Sequence, residues 1–381
     1  MHSIRLKKGV EGGAAQVRDV VAVLDRAGSR RFRAAGRAPY RKDPNWVPPL
    51  PGEERAAFDP RRNPSLEGVE AQRWILLEGG APAGRIAAFA PGHRPGVGYI
   101  GFFEAPDDPA AARSLLRTAE TWLASRGCRE CFGPISVTPR DRIGLLIDGF
   151  QSPPLLFTPY NPPYYRALLE SAGWAPRIFL RAYGWGADYA DPAGVRSLAH
   201  RGEAGSSVSI RALRPKRLKE EVRLISGLIN EALAGAWHFD PIGERESSQL
   251  ARLLRPIIDP SMILIAEDGL GACGVALTVP DVNWLWHRSG GKLISFGWML
   301  LRHRRQVPQV RLMALCVARR VRGSGVMARL VSHINDTGQV RGYLSAELSQ
   351  VYEDHVMSRT LERMRLPVVR RYAVFARRLG D

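Results

Sequence analysis

One order of secondary-structure elements occurs twice along this chain, and that repeat constrains the fold more than any other feature. In the first half, strand-like runs at residues 72–77 (QRWILL) and 84–90 (GRIAAFA) flank a glycine turn and predict a hairpin. A strand at 99–104, a helix at 109–127 and a strand at 128–133 follow, the helix because apolar residues recur at helical spacing. The order is strand, strand, strand, helix, strand.

The same order returns in the second half, where hairpin strands at 262–266 and 272–279, an apolar strand at 311–317, a helix at 326–337 and a strand at 343–348 are predicted. Further predicted elements are helices at 14–27, 215–233, 247–258 and 353–364 and strands at 208–211 and 368–375. We therefore predict two tandem units of α/β class (α+β type), each a mixed, mostly antiparallel central sheet flanked by helices. The units are assigned to residues 1–205 and 206–381, with HRGEAGSS (200–207) as linker.

Composition limits the class of protein. The 381 residues include 55 Lys and Arg against 37 Asp and Glu, and the formal charge of +18 favours phosphate-rich cofactors, nucleic acid or a membrane surface as partners. Only six of these basic residues are lysines, so a genomic bias toward Arg explains the excess equally well. Four cysteines are too few for a disulfide framework, and neither a signal peptide nor a membrane-spanning run is found. These features predict a cytoplasmic protein.

The stretch RLMALCVARRVRGSGVMARL (311–330) is the motif with the clearest chemistry. It predicts a buried strand, a basic glycine loop and a helix, a turn that aims backbone N–H groups and a positive helix end at one point. Gly323 and Gly325 carry no side chain that would hold a ligand away, and Arg320 and Arg322 add cationic reach to phosphate oxygens. A phosphate site is therefore expected, but not a Walker A loop or a dinucleotide fingerprint, whose residues are missing.

Residues 320–325 (RVRGSG) resemble the Arg/Gln-x-x-Gly-x-Gly/Ala signature of the GCN5-related N-acetyltransferase (GNAT) superfamily. The segments YRKDPNWVPPL (40–50), GFFEAPDD (101–108), GLLIDGF (144–150) and YNPPYY (160–165) resemble a bacterial group of long, two-unit GNAT proteins. This resemblance implies two GNAT-like units and acetyl-CoA or a longer acyl-CoA as co-substrate, with no metal. It also implies contacts of CoA with Leu315, Cys316, Val317, Arg320, Val321, Arg322, Gly323, Ser324, Gly325 and Val326.

The first unit lacks this glycine loop. Its strand at 99–104 runs through Ala105, Pro106, Asp107 and Asp108 into the following helix. Two acidic side chains at that turn would repel a pyrophosphate. We therefore expect one cofactor site, in the C-terminal unit, and a degenerate, architectural first unit.

The resemblance further implies that a substrate amine attacks the thioester directly, near a separation of the strands at 311–317 and 343–348. Such a reaction needs a base for the amine and an acid for the leaving thiolate. The candidates are Glu347, Glu353 and Tyr352, with a solvated surface carboxylate as the alternative for each acid. Many GNAT proteins have an Asn at the start of the last helix and a Tyr seven residues later, where this chain has His355 and Glu362.

Residues 282–335 contain ten Lys or Arg and no acid. Within them, KLISFGWMLLRHRR (292–305) is typical of an interfacial helix on anionic lipid. Three hypotheses stay open: peripheral contact with the inner membrane through residues 288–305, a wall of a tunnel for a long acyl chain, and a buried helix between the units. Bacterial sphingolipid N-acyltransferases (ceramide synthases) are GNAT-like proteins of this kind, so the resemblance includes lipid-type (sphingoid) amines among the acceptors.

Together these features predict an acyl-CoA-dependent N-acyltransferase that acts on a primary amine. One alternative is an inactive GNAT-like protein, and another is a basic protein that binds nucleic acid or an anionic surface. No helix-turn-helix, zinc-finger or RNA-binding signature supports specific nucleic-acid recognition. Cys128 and Cys131 have CxxC spacing, but no second pair or neighbouring His completes a zinc site, so we interpret both as structural thiols.

Overall fold

The computed structural model describes residues 18–50, 52–140, 142–186 and 207–380. The described chain divides into two units, the first made of the residues up to Phe179 and from Tyr372 onward, and the second of Leu180–Arg371. The predicted junction at 205/206 and residues 200–206 of the predicted linker lie outside the described residues. The assignment of domains to 1–205 and 206–381 therefore stays a prediction.

The first unit is a mixed sheet with helices packed on it. Its strands are β1 (Arg18–Ala22), β2 (Val69–Glu78), β3 (Ala81–Pro91), β4 (Val97–Glu104), β5 (Glu130–Gly133), β6 (Leu145–Asp148) and the last residues of β13 (Val368–Arg378). Strands β1 to β4 pair antiparallel in chain order, β4 pairs parallel with β5, and β5 pairs antiparallel with β13. Its helices are α1 (Arg26–Ala35), α2 (Glu53–Ala56), α3 (Pro109–Ser125) and α4 (Tyr165–Ser171).

The second unit repeats this topology. Its strands are β8 (Ser209–Ala212), β9 (Ile263–Asp268), β10 (Gly271–Pro280), β11 (Gln309–Val317), β12 (Ser345–Tyr352) and the end of β7 (Ala175–Gly186). Strands β8 to β11 pair antiparallel, β11 pairs parallel with β12, and β12 pairs antiparallel with β7. Its helices are α5 (Leu218–Leu233), α6 (Glu244–Leu254), α7 (Asn283–Arg288), α8 (Leu293–His303), α9 (Val326–Arg341) and α10 (Val356–Arg363).

The two units confirm the predicted fold class, since each has a mostly antiparallel sheet with one parallel pair. A parallel pair needs a crossover connection, and α3 supplies it between β4 and β5 as α9 does between β11 and β12. Each unit has its own apolar core, around residues such as Leu115 and Leu116 of α3 in the first and Leu312 and Leu330 in the second. Among the described helices, none has the length and apolar character needed to span a bilayer.

The predicted helix at 14–27 is wrong over residues 18–25 and right only at residues 26 and 27; residues 14–17 lie outside the described part of the chain. Residues 18–22 form β1 and pair with β2, because β-branched Val20 and Val21 fit a half-buried strand better than a helix. The helix begins only at Arg26, after Asp25, whose carboxylate accepts a hydrogen bond of 2.6 Å from the Gly28 amide.

The last helix also begins later than predicted. The predicted helix at 353–364 is α10, Val356–Arg363, with His355 as its N-cap; the His355 Nδ1 accepts from the Met357 amide at 3.2 Å. Tyr352 is thus the last residue of β12, and Glu353 lies in the turn before the helix. Glu353 therefore lies before the helix rather than at its start, where the sequence analysis placed it.

Candidate active site

Strands β11 and β12 separate beside the predicted cofactor strand. Their ladder ends at Leu312 and Leu348, and no further pair joins the two strands within the described chain. The β10–β11 ladder has a bulge at Met313, and the β12–β7 ladder shifts register after Leu348. Because a bulge bends a strand and increases its twist, these two irregularities account for the separation. We call the opening beside residues 313–317 the strand gap.

The strand gap exposes one edge of β11 to a ligand. On the other edge, Leu315, Cys316 and Val317 pair with β10. A strand edge without a partner presents N–H and C=O groups with which an extended ligand can pair like an added strand. The Cys316 side chain is buried, and burial raises the pKa of its thiol to about 12 despite the opposing charge of Arg322. Cys316 therefore stays protonated and acts as an apolar side chain.

We call the glycine loop at Gly323–Gly325, which follows β11, the cradle. Gly323 and Gly325 have φ of +81° and +82°, backbone angles that glycine adopts without strain. No atom lies within 4 Å of the point where a Cβ on Gly323 would be. The amides of Gly323, Gly325, Val326, Met327 and Ala328 donate to no other described residue, and Gly325 is the N-cap of α9. Open amides at a helix N-terminus form a site for a phosphate group.

The two loop arginines have different surroundings. The Arg320 guanidinium donates to the Asp268 carboxylate at 2.9 Å and to the Ala272 carbonyl at 3.0 Å, so it ties the loop to the β9–β10 turn. Arg322 is exposed. Burial lowers the pKa of His355, and the charges of Arg322 and Arg359 lower it further.

Glu347 lies in the interior of the second unit. Its side chain is 1% exposed, forms an ion pair with Arg370 and accepts a hydrogen bond of 2.5 Å from the Ser349 hydroxyl. Arg311, whose backbone is in register with Glu347 across the β11–β12 ladder, donates to Gln350 at 2.9 Å. This buried polar cluster holds β12 where it leaves β11, and within it the Glu347 carboxylate is already engaged.

Glu353 and Tyr352 differ from each other in whether their side chains are engaged by a partner. The Arg181 guanidinium forms ion pairs with both Glu353 and Glu362, so Glu353 is also engaged. Among the described residues, the Tyr352 hydroxyl makes a single long contact, of 3.5 Å, with the Trp237 carbonyl. Burial raises the pKa of Tyr352 to about 12, so the hydroxyl keeps its proton at neutral pH. Tyr352 is therefore the candidate with a proton available to a reacting group.

Several residues at this site carried no clear sequence signal. Trp237 and His238 lie in the loop after α5, where their rings stack at 4.1 Å. Gln350 has φ of +63°, which marks the irregular part of β12. In the sequence, His355 stands out only as a departure from the family pattern, whereas in the structure its side chain caps α10. In the described part of the chain, no group of three or more His, Cys, Asp or Glu side chains could hold a metal ion.

In the first unit, the position that corresponds to the strand gap is filled by the chain itself. The β4–β5 ladder ends at Tyr99 and Phe132, and the Ile135 amide then donates to the Ile100 carbonyl at 2.7 Å. A Cβ on Gly101 would lie only 2.1 Å from the Ile135 carbonyl oxygen. The backbone after β5 therefore occupies the β4 edge, and no ligand strand has room there.

The helix N-terminus of the first unit is occupied as well. The Asp108 carboxylate accepts from the Ala110 and Ala111 amides at 2.7 and 3.3 Å and pairs with Arg18 at 2.6 Å. Burial alone would raise the pKa of Asp108, but the hydrogen bonds from Arg18 and the two amides outweigh it and lower the pKa. A built-in carboxylate thus takes the position that a phosphate would take on α3.

An Asp108→Ala variant should be less stable by about 1 kcal/mol, because the α3 amides lose their cap. Asp108→Asn keeps the cap and loses only the charge facing Arg18, so its loss should be smaller. The folded pKa is lowered, so the charge contribution is present at neutral pH and disappears as pH falls below about 4. Urea unfolding at neutral and acid pH measures both effects. Equal stability of wild type and Asp108→Ala would contradict this role.

Comparison with known proteins agrees with this geometry. No family model matches the sequence. The chain is 34% identical over 302 residues to the bacterial ceramide synthase of Caulobacter vibrioides, with 77% of each protein covered. It is 29% identical over 372 residues to the protein YghO of Escherichia coli, with 93% of this chain and 94% of that protein covered.

A solved structure shares the fold over nearly the whole chain. It is a tandem GNAT protein from the clavulanic acid biosynthesis pathway, with a TM-score of 0.59, 12% sequence identity, and coverage of 96% of this chain and 99% of that one. At this identity the likeness concerns the fold, whereas the Caulobacter relative shows the family. The chain therefore belongs to the family of the Caulobacter bacterial ceramide synthase, and its fold is that of the tandem GNAT protein.

Proposed function

We propose that the second unit transfers an acyl group from a coenzyme A thioester to a primary amine, and that the amine is of lipid type, with a sphingoid base as the model acceptor. The observation that carries the proposal is the strand gap, which leads directly into a loop of open amides at the N-terminus of α9. The name of the Caulobacter relative, bacterial ceramide synthase, supports the lipid acceptor. Peripheral contact with an anionic membrane through residues 288–305 belongs to the same proposal.

In this proposal the cradle binds the CoA pyrophosphate through the open amides of Gly323, Gly325 and Val326, while Val321, Arg322 and Ser324 border it. The pantetheine arm lies along Leu315, Cys316 and Val317 as an added strand. Arg320 acts by holding the loop against Asp268. This arrangement would direct the thioester toward the point where β11 and β12 separate.

The reaction requires few protein groups. The lone pair of the neutral amine attacks the thioester carbon, the C–S bond breaks, the amine nitrogen loses a proton and the thiolate gains one. We assign the thiolate proton to Tyr352, whose hydroxyl is protonated at neutral pH. Glu347 and Glu353 are candidates for the base, and each would need to act from within its ion pair.

The cradle is tested by placing a negative charge in it. Gly323→Glu, Gly325→Glu and Ser324→Glu should each abolish measurable CoA binding in isothermal titration calorimetry, because a carboxylate there repels the diphosphate. Ser324→Glu is the sharpest variant, since it leaves both glycines in place. Gly227→Glu is the matched control, because Gly227 is exposed on α5 with no atom near its Cβ position.

The expected result is a Kd in the micromolar range or tighter for wild type and Gly227→Glu, with all variants folded by circular dichroism. A folded wild-type protein that does not bind CoA would contradict the proposed function. Salt-sensitive binding of nucleic acid that survives the cradle substitutions would instead support the basic-binder alternative.

A further inference from the structure

Helix α8 exposes a continuous apolar face. Ile294, Trp298 and Leu301 are 90%, 59% and 86% exposed, and no residue of the helix is buried. Their spacing of four and three residues puts them on one side of the helix. We call these three residues the α8 stripe. Apolar area of this kind gains free energy when it leaves water.

The orientation of the helix is set from its opposite side. Phe296 packs edge-on against Trp286 of α7, with ring centroids 5.1 Å apart, and Trp286 is itself buried. This contact fixes which face of α8 is turned inward. The α8 stripe thus faces outward because the helix packs on α7 through its opposite side, and not because the segment is unfolded.

Cations flank the α8 stripe on both sides along the chain. Lys292, Arg302, Arg304 and Arg305 are all exposed, and none forms an ion pair with any residue that the structure describes. Arg288 lies over the Trp284 ring at 4.7 Å. No Asp or Glu occurs between Asp281 and Asp336 to offset these charges. The complement of this surface is therefore apolar in its interior and anionic at its rim.

Helix α8 comes directly before β11 in the chain, and the cradle comes directly after β11. A short 3-10 turn joins α8 to Gln309, the first residue of β11, whereas the cradle follows Val317 at the other end of that strand. At about 3.3 Å per residue, the strand gap begins about 10 Å along β11 from Gln309. The α8 stripe and the cradle thus lie toward opposite ends of the strand that lines the gap.

We propose that the α8 stripe and its flanking cations dock the second unit on an anionic lipid bilayer. The apolar side chains enter the boundary between headgroups and acyl chains, and the cations meet lipid phosphates. A second copy of the chain is a poor occupant, because a symmetric contact would bring the same cations together. Binding to the membrane does not itself require catalysis, but the role of that binding rests on the proposed function. A lipid amine would enter the strand gap from the end of β11 nearer α8, while CoA would approach the other end from water.

Vesicle flotation tests the docking. Wild-type protein should float with vesicles of phosphatidylglycerol and phosphatidylcholine and remain in the dense fraction with phosphatidylcholine alone. The double variant Ile294→Asp/Leu301→Asp should lose flotation. Leu270→Asp is the matched control, because Leu270 is 86% exposed in the β9–β10 turn, which the Arg320–Asp268 contact ties to the cradle at the other end of β11, and should float like wild type.

A second variant tests how much the basic residues contribute to vesicle binding. Arg302→Gln/Arg305→Gln leaves the α8 stripe intact and should lower the partition coefficient on anionic vesicles about 30-fold, since each basic residue near such a surface contributes about fivefold. Binding by wild type should also weaken as salt rises. Partitioning equal to that of wild type would show that the charges do not contribute and would overturn the anionic-lipid assignment.

CoA affinity, measured on the same preparations, separates this inference from the proposed function. Loss of flotation with unchanged CoA affinity in Ile294→Asp/Leu301→Asp supports docking. Equal flotation of wild type and that variant overturns docking. Docking is also overturned if wild type forms a dimer, the variant is monomeric, and neither protein binds vesicles. Wild-type protein that floats but does not bind CoA supports docking and overturns the proposed function alone.

Discussion

A Tyr352→Phe variant should bind CoA with wild-type affinity and turn over about 100-fold more slowly, as expected when a general acid is removed. The substitution deletes only the hydroxyl of Tyr352, the last residue of β12. Among the described residues, this hydroxyl makes one long contact, with the Trp237 carbonyl. The fold should therefore be unaffected. Since burial raises the pKa of Tyr352 to about 12, the wild-type rate should not fall through ionisation of this tyrosine between about pH 7 and pH 10.

Thiol release from acyl-CoA in the presence of a long-chain amine measures this effect, with kcat and KM determined separately. Tyr343→Phe is the matched control, because burial also raises the pKa of Tyr343 to about 12 but its neighbours are Asp259 and Arg341. It should keep most of the wild-type kcat. An unchanged kcat in Tyr352→Phe would remove this residue from the mechanism.

Replacing Glu347 by alanine should lower the free energy of unfolding by about 3–5 kcal/mol. The change removes the carboxylate that faces the buried Arg370 guanidinium, and an isolated charge is costly in the interior. The double variant Glu347→Met/Arg370→Met should recover much of that loss, because apolar side chains then fill the volume of the ion pair. Breaking the exposed pair of Arg166 and Glu170 should cost at most about 1 kcal/mol.

Urea unfolding of the two single variants and the double variant gives the coupling free energy. A double variant as unstable as the sum of the two singles would contradict the ion-pair role. Glu347→Gln then separates structure from chemistry, since it keeps the hydrogen-bonding shape of the side chain. If the folded Glu347→Gln variant keeps its turnover, Glu347 is not the base and its role is to position β12.

The local features of the fold were predictable from the sequence because they depend on neighbouring residues. The hairpins, the strand at 311–317, the glycine loop and the helix after it follow from hydrophobic periodicity and from glycine at two positive-φ positions. The repeated element order was equally local. The exception is residues 18–22, where pairing with β2 determines a strand that the pattern alone assigned to a helix.

Contacts between distant residues were not predictable. Nothing in the sequence indicates that Arg370 would meet Glu347, that Arg181 would meet Glu353, or that Arg320 would be tied to Asp268. These arginines change the chemistry of the candidates that they contact. The strand that completes each sheet was not predictable either, because it is distant in sequence from its partner. β5 pairs with β13, the last strand of the chain, and β12 pairs with β7, which precedes the other strands of the second unit.

If the chain has one acyl-CoA site and that site is the cradle at Gly323–Gly325, the number of bound acyl-CoA molecules must depend on the cradle. Native mass spectrometry of the full chain titrated with acyl-CoA tests this dependence most directly, because it counts bound molecules on each folded chain. One acyl-CoA per chain is expected in wild type and Gly227→Glu, and none in Ser324→Glu. No bound acyl-CoA on folded wild-type protein, or one that persists in Ser324→Glu, would contradict this expectation.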